Sequence, residues 1–276
     1  MLVGGVAAGV FGSLLGLGGG LLIVPLLTIG FGLPLREAVG VSLVCVIVTS
    51  SASAGVYLQR RQANLRLGMV LELFTGIGAI IGGAIAFLVD ERLLAGLFAI
   101  LLVYVATTIL RSARRPATPI TADEGAPAAG DVPDEDAATV DPDAATLGLA
   151  PAALGRMPFA AVASLGAGVA SALLGIGGGL IKVPLMHLGL GVPLRIATAT
   201  SNLMVGITAS TSAFVYLLRG GIDAYATGPT AIGVFVGASL GSRLGHRLDV
   251  RVLRLLFVVV LLFTAFEMGR RALVVE

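Results

Sequence analysis

Among 18 basic residues in a chain of 276, 17 are arginine, and the one lysine, Lys182, lies inside an apolar run. An ionisable group at membrane depth is a candidate for function, because burying it is expensive. Lys182 follows Gly177-Gly178-Gly179 by three residues, and the same cluster stands near the other end of the chain as Gly18-Gly19-Gly20. With Gly16 and Gly175, each copy has four glycines in five positions. Such a stretch holds a helix poorly, since each glycine costs about 1 kcal/mol relative to alanine. Helices restarting near Gly20 and Gly179 present unpaired N–H groups and the positive end of the helix dipole, which suits an anion. Lys182 could neutralise that anion. Alternatively its stem snorkels to the interface, and the apolar Ile23 at the matching place in the first copy leaves both readings open. Glycines also let helices pack closely. Packing alone does not require three in a row followed, five residues on, by Pro25 or Pro184.

A hydroxyl stripe is the second candidate. Ser42, Thr49 and Ser53 lie at i, i+7 and i+11, within about 40° of one another on a helix. Ser201, Thr208 and Ser212 repeat the pattern, with Asn202 beside Ser201. These groups either line a cavity or bond back to their own helix. Glu72 and Glu267 stand near the ends of apolar segments, where snorkelling is the expectation and proton relay the alternative. His187 and His246 lack a second ligand at metal spacing, and Cys45 is alone, so no metal, disulfide or other cofactor is expected. The glycines are neither a P-loop nor a dinucleotide fingerprint: no Lys-Ser/Thr follows and no strand precedes. No nucleophile–base pair supports an enzyme.

The elements that must position these groups are apolar. Residues are 57% hydrophobic and 12% charged, with mean hydropathy +1.00, where a soluble domain carries about 25% charged residues. This is the composition of an integral membrane protein. A net charge of +2 excludes a nucleic-acid partner by charge, and nothing excludes a homodimer. Shifting the chain by 159 residues aligns Leu14–Arg60 with Leu173–Arg219, 26 of 47 positions being identical. The expected units are a first membrane repeat over 1–115, a disordered acidic cytoplasmic linker over 116–157, and a second repeat over 158–276. The linker is rich in Ala, Pro, Asp and Thr and lacks the apolar residues needed to fold. The first apolar run, which leads into the glycines and has a counterpart in the second half, is read as part of the fold and not as a signal peptide.

Each repeat has four apolar segments: 2–30, 35–58, 67–89 and 93–110, then 159–189, 194–218, 226–246 and 252–269. The last three of each are long enough to span. The first either spans as one broken helix or folds back as a re-entrant hairpin. If it spans, the arginines divide ten inside to seven outside; if it folds back, the repeats are inverted and the division is twelve to five. The positive-inside rule favours inversion. The expected fold is therefore an all-α polytopic membrane protein of two inverted repeats. Each is a broken re-entrant hairpin plus three transmembrane helices, a plan that meets at the midplane.

The pattern G-x-G-G-G-x-x-x-x-P at Gly16–Pro25, matched through Pro184, resembles the sulfite exporter TauE/SafE family, also called the toluene sulfonate uptake permeases. So does Pro34-Leu35-Arg36-Glu37-Ala38-Val39-Gly40-Val41-Ser42. The resemblance covers both repeats and omits the acidic linker. It implies a multi-pass permease of the cell (inner) membrane for small sulfur anions: sulfite, thiosulfate, sulfoacetate or other organosulfonates. A passive anion channel and a scaffold without cargo are the competing classes.

Overall fold

The computed structural model describes residues 1–14, 20–59, 64–114, 156–244 and 250–273. The expected acidic linker, apart from its last two residues, lies outside them, as do Gly18 and Gly19. Among the described residues every regular element is helical. In the first repeat these are α1 (Leu2–Leu14), α2 (Gly20–Pro25), α3 (Leu35–Gln59), α4 (Leu65–Ala86) and α5 (Glu91–Arg114). The second has α6 (Met157–Leu174), α7 (Gly179–Pro184), α8 (Leu194–Leu218), α9 (Ala224–Leu244) and α10 (Val250–Leu273). α4, α5, α6 and α8 contain stretches long and apolar enough to cross a membrane. Exposed Leu, Ile and Phe side chains along α4, α5 and α10 form a surface suited to lipid.

The short helices α2 and α7 begin at the last glycine of each cluster. Both end on proline, which lacks the N–H that would continue the helical ladder. The backbone then opens into single π-helical turns, Leu26–Gly30 and Leu185–Gly189, which the sequence did not announce. Pro34 and Pro193 stand immediately before α3 and α8. Each first segment folds back on itself. Gly4 of α1 lies against Leu26, and the Arg156 guanidinium, at the start of α6, donates to the Gly189 carbonyl at 3.4 Å.

The repeats grip each other by exchange. Gly9 packs on the backbone of Val234 and Ala238, and Gly168, its counterpart 159 residues on, packs on Thr75 and Ala79, the counterparts of those two. Gly237 on Val6 and Gly78 on Leu165 are a second matched pair. So α1 runs alongside α9, and α6 alongside α4, with backbones touching where glycine leaves room. The glycines at GxxxG spacing in the third apolar segments thus serve packing. α3 and α8 cross at the centre and run antiparallel: Ser50 donates to the Asn202 carbonyl at 2.6 Å, and Gly40 lies against Gly221. α4 and α8 run parallel. The Asn64 amide donates to Thr200 at 2.9 Å near their starts, and Phe87 meets Tyr216 near their ends, ring centroids 5.1 Å apart. α5 and α10 are antiparallel, with Gly96 beside Ala272.

These contacts predict opposite outcomes for two neighbouring glycines. A side chain at Gly78 would strike the Leu165 backbone, whereas Gly76 has open space around it. Gly78→Leu should destabilise by about 1–3 kcal/mol or more. Gly76→Leu should stay within about 0.5 kcal/mol of the parent. Thermal unfolding of the purified protein in detergent, followed by size exclusion, measures both; equal losses would contradict the packing.

Candidate functional site

The second break is built from three left-handed glycines. Gly175, Gly177 and Gly178 have φ of 69°, 73° and 77°, a region that side chains with a Cβ rarely adopt. The two breaks meet. Gly20 packs against the Gly175 carbonyl, and the Ser42 hydroxyl lies 2.8 Å from that carbonyl and 3.1 Å from that of Gly20. One hydroxyl proton thus ties the start of α2, the middle of α3 and the break of the other repeat. Tyr216, fully buried, donates to the Ala172 carbonyl just before that break at 2.9 Å.

Behind Gly178 sits a buried ion pair. Lys182 Nζ lies 2.8 Å from Glu72 Oε2 and also donates to Thr208 Oγ1. The Thr208 hydroxyl stands 2.6 Å from Glu72 Oε1 and 3.1 Å from the Met204 carbonyl. A hydroxyl has one proton, and the carboxylate, being charged and nearer, is the stronger acceptor. Lysine, threonine and carboxylate thus close a ring drawn from α7, α8 and α4. Lys182 is 1% exposed and Glu72 7%. The expectation that Glu72 snorkels is corrected, and of the two readings left open for Lys182 the snorkelling one is set aside. α7 points Lys182 across the bundle at α4, whose contact with α6 and α8 largely encloses Glu72.

Around this ring stand hydroxyls without partners. Ser164, Ser171 and Ser201 are buried, and their oxygens bond to nothing. A Cβ built on Gly178 would lie 3.5 Å from the Ser171 Cβ and 3.6 Å from Lys182 Cε; one on Gly179 would lie 3.6 Å from Ser201 Oγ. Ser171, Lys182 and Ser201 therefore flank the same glycines. Buried polar atoms are rarely left unpaired, which sets these hydroxyls apart from the others described.

Of the residues singled out by sequence, Gly177, Gly178, Gly179, Lys182, Ser201 and Thr208 come together. Gly20 and Ser42 sit at the crossing of the breaks. Asn202 takes part through its carbonyl, which accepts from Ser50. Thr49 and Ser212 bond back to their own helices, to Val46 at 3.1 Å and to Thr208 at 3.0 Å. The Ser53 side chain lies outside the described residues. His187 Nδ1 is 2.9 Å from the Val192 carbonyl, and Glu267 pairs with Arg270 at 2.7 Å on the surface of α10. Sequence reasoning missed Ser164, Ser171 and the partnership of Glu72. The signal was present in the repeat: Lys182 and Glu72 correspond to Ile23 and Ala231, so the place equivalent to the pair carries neither charge.

Helical in every regular element among its described residues, with several apolar spans and a buried polar cluster beside a glycine break, the chain has the build of a membrane transporter. The sulfite exporter TauE/SafE family model matches residues 1–268, and the chain belongs to that family. It is 24% identical to the "Probable membrane transporter protein YunE" of Bacillus subtilis (strain 168), over 97% of this chain and 96% of that one. No solved structure matches. The protein is a multi-pass membrane transporter.

Removing one member of a buried ion pair strands the other, at about 3–5 kcal/mol. Lys182→Ile and Glu72→Ala should each cost that much, while the double variant, which recreates the Ile23 and Ala231 of the equivalent place, should recover most of it. A thermal double-mutant cycle measures the coupling; simple addition of the two losses would mean that the pair is not formed.

Proposed function

We propose that this protein is a secondary transporter of the cell membrane carrying small sulfur-containing anions, sulfite, thiosulfate or an organosulfonate, through the cluster beside Gly177–Gly179. The observation that carries this reading is the set of unpartnered hydroxyls, Ser171 and Ser201, on either side of glycines that also contact the Lys182 stem. A sulfur oxyanion directs acceptor oxygens in several directions. Neutral O–H donors and one ammonium satisfy it without the cost of burying several fixed cations. The family supplies the substrate class, since its description names sulfite export.

The reading includes inverted repeats built on re-entrant hairpins. It is supported by the antiparallel course of the equivalent helices α3 and α8, and by the residue-for-residue exchange of α1–α9 with α6–α4. Two equivalent halves related this way share an axis in the membrane plane. Rocking one half against the other would then open the central site to each side in turn.

Reconstituted vesicles given sulfite, thiosulfate, sulfoacetate and sulfate should show saturable flux of at least one of the first three. Ser171→Ala and Ser201→Ala should each weaken apparent affinity by roughly 2–10-fold, the worth of one hydrogen bond. Gly178→Val should abolish flux while the protein still reaches the membrane, because φ of 77° forbids the branched side chain. Normal transport by Gly178→Val would sink this site; currents of many ions per opening would make the protein a channel, and no flux of any anion would leave a scaffold. For topology, single cysteines replacing Arg195 and Arg219 should label from opposite faces, Arg195 from the cytoplasm. Labelling of Arg195→Cys from outside removes the inverted arrangement.

A further inference from the structure

The ion pair raises a question of charge that the substrate reading leaves open. Two of the three N–H groups of Lys182 are spent on Glu72 and Thr208, and the ring they form is electrically neutral. An anion arriving beside Gly178 meets a lysine already compensated and a carboxylate that repels it. Bound as it stands, the cluster would hold a net negative charge at membrane depth. The pair has no charged equivalent: at the corresponding place Ile23 of the first repeat is fully buried and Ala231 of the second packs against the same apolar core. The fold therefore tolerates the position without charges, and the pair is an addition to one of two equivalent places.

We propose that Glu72 is the proton carrier of the transport cycle, and that the anion and one proton occupy the site together. This rests on the substrate reading above. A proton from the side of uptake adds to a Glu72 carboxylate oxygen, and the Lys182–Glu72 ion pair opens. The Thr208 hydroxyl then accepts from the carboxylic acid or turns to the Met204 carbonyl, 3.1 Å away. Lys182 turns its ammonium to the anion, with Ser171 and Ser201 donating from the flanks. The charges balance: carboxylate and ammonium before; carboxylic acid, ammonium and a singly charged anion after. Release of anion and proton on the other side lets the pair close again. For a monovalent anion the step carries no net charge.

The groups facing Glu72 are few. α7 presents Lys182 and α8 presents Thr208, while α6, which lies along α4, carries the buried Ser164 and Ser171 hydroxyls. Arg66, also on α4, lies six residues before it, and three other charged or titratable groups are engaged elsewhere. Arg156 bonds the Gly189 carbonyl, His187 faces the Val192 carbonyl, and Arg219 lies over the Phe87 ring. The Arg195 side chain lies outside the described residues.

The test is proton uptake on binding. Thiosulfate and methanesulfonate remain fully ionised between pH 5 and 9, so neither takes up a proton itself. Added to purified transporter in weakly buffered detergent with a pH indicator, whichever binds should draw close to one proton per protein at alkaline pH. Its affinity should improve by up to tenfold for each unit of acidification. In Glu72→Gln, which keeps the shape of the protonated acid, binding should be independent of pH and proton uptake should vanish. Vesicles bearing that variant should exchange anion across the membrane but not accumulate it against a pH gradient. If Glu72→Gln does not fold, the wild-type measurement decides alone. Binding by the wild type without proton uptake at any pH overturns the proposal and leaves the substrate reading standing. Failure to bind thiosulfate, methanesulfonate, sulfite or sulfoacetate at all overturns both.

Discussion

A charge taken into the bilayer must bring its counter-charge with it, and the interior of this protein is arranged around that requirement. Lys182 and Glu72 come from helices in different repeats, so the pair forms only when the repeats are fully joined. The same rule governs the backbone. Peptide groups freed by the glycine breaks have no water to turn to, and the described contacts show where one of them goes: the Gly175 carbonyl takes the Ser42 hydroxyl of the other repeat. The second break is thus completed from across the central crossing of α3 and α8. Polarity sits where the two halves touch, and the outer faces are left to leucine, isoleucine and phenylalanine.

Much of this was legible in the sequence. Glycine and proline act on the backbone locally, so the restart of α2 at Gly20 and of α7 at Gly179 could be read from composition alone. The repeat fixed which helices are equivalent, and the glycines of the third segments announced close packing. What could not be read depends on distance through space. Lys182 and Glu72 are separated by 110 residues, and neither position says what faces it. Thr49 and Thr208 occupy equivalent places, yet one bonds to its own helix and the other to a carboxylate, because the residues corresponding to Lys182 and Glu72 are the apolar Ile23 and Ala231. Ser164 and Ser171 were passed over because their counterparts, Gly5 and Gly12, carry no hydroxyl. The π turns escaped because a proline shows where a ladder is broken and not how the chain recovers.

Duplication followed by local divergence explains the combination of symmetric frame and one-sided chemistry. Gly9 and Gly168, and Gly78 and Gly237, match across the repeats, and a Cβ at any of the four would strike backbone. The polar residues are freer: a buried ion pair can be exchanged for apolar residues of similar bulk when both members change together. Ile23 and Ala231 on one side, Lys182 and Glu72 on the other, are two solutions to the same space.

The exchange of packing partners also constrains how the molecule is made. α1 meets its glycine-lined partner α9 only after more than two hundred further residues have been synthesised, and α4 must likewise await α6. At about 5–20 residues per second, the first half resides in the membrane for several seconds with its closest-packing faces turned to lipid. Neither half is a finished folding unit at that stage. Assembly is committed late, when the second hairpin slides in beside α4 and the growing chain supplies α9 to α1, so the nascent first repeat is the form most exposed to wrong partners and to quality-control proteases.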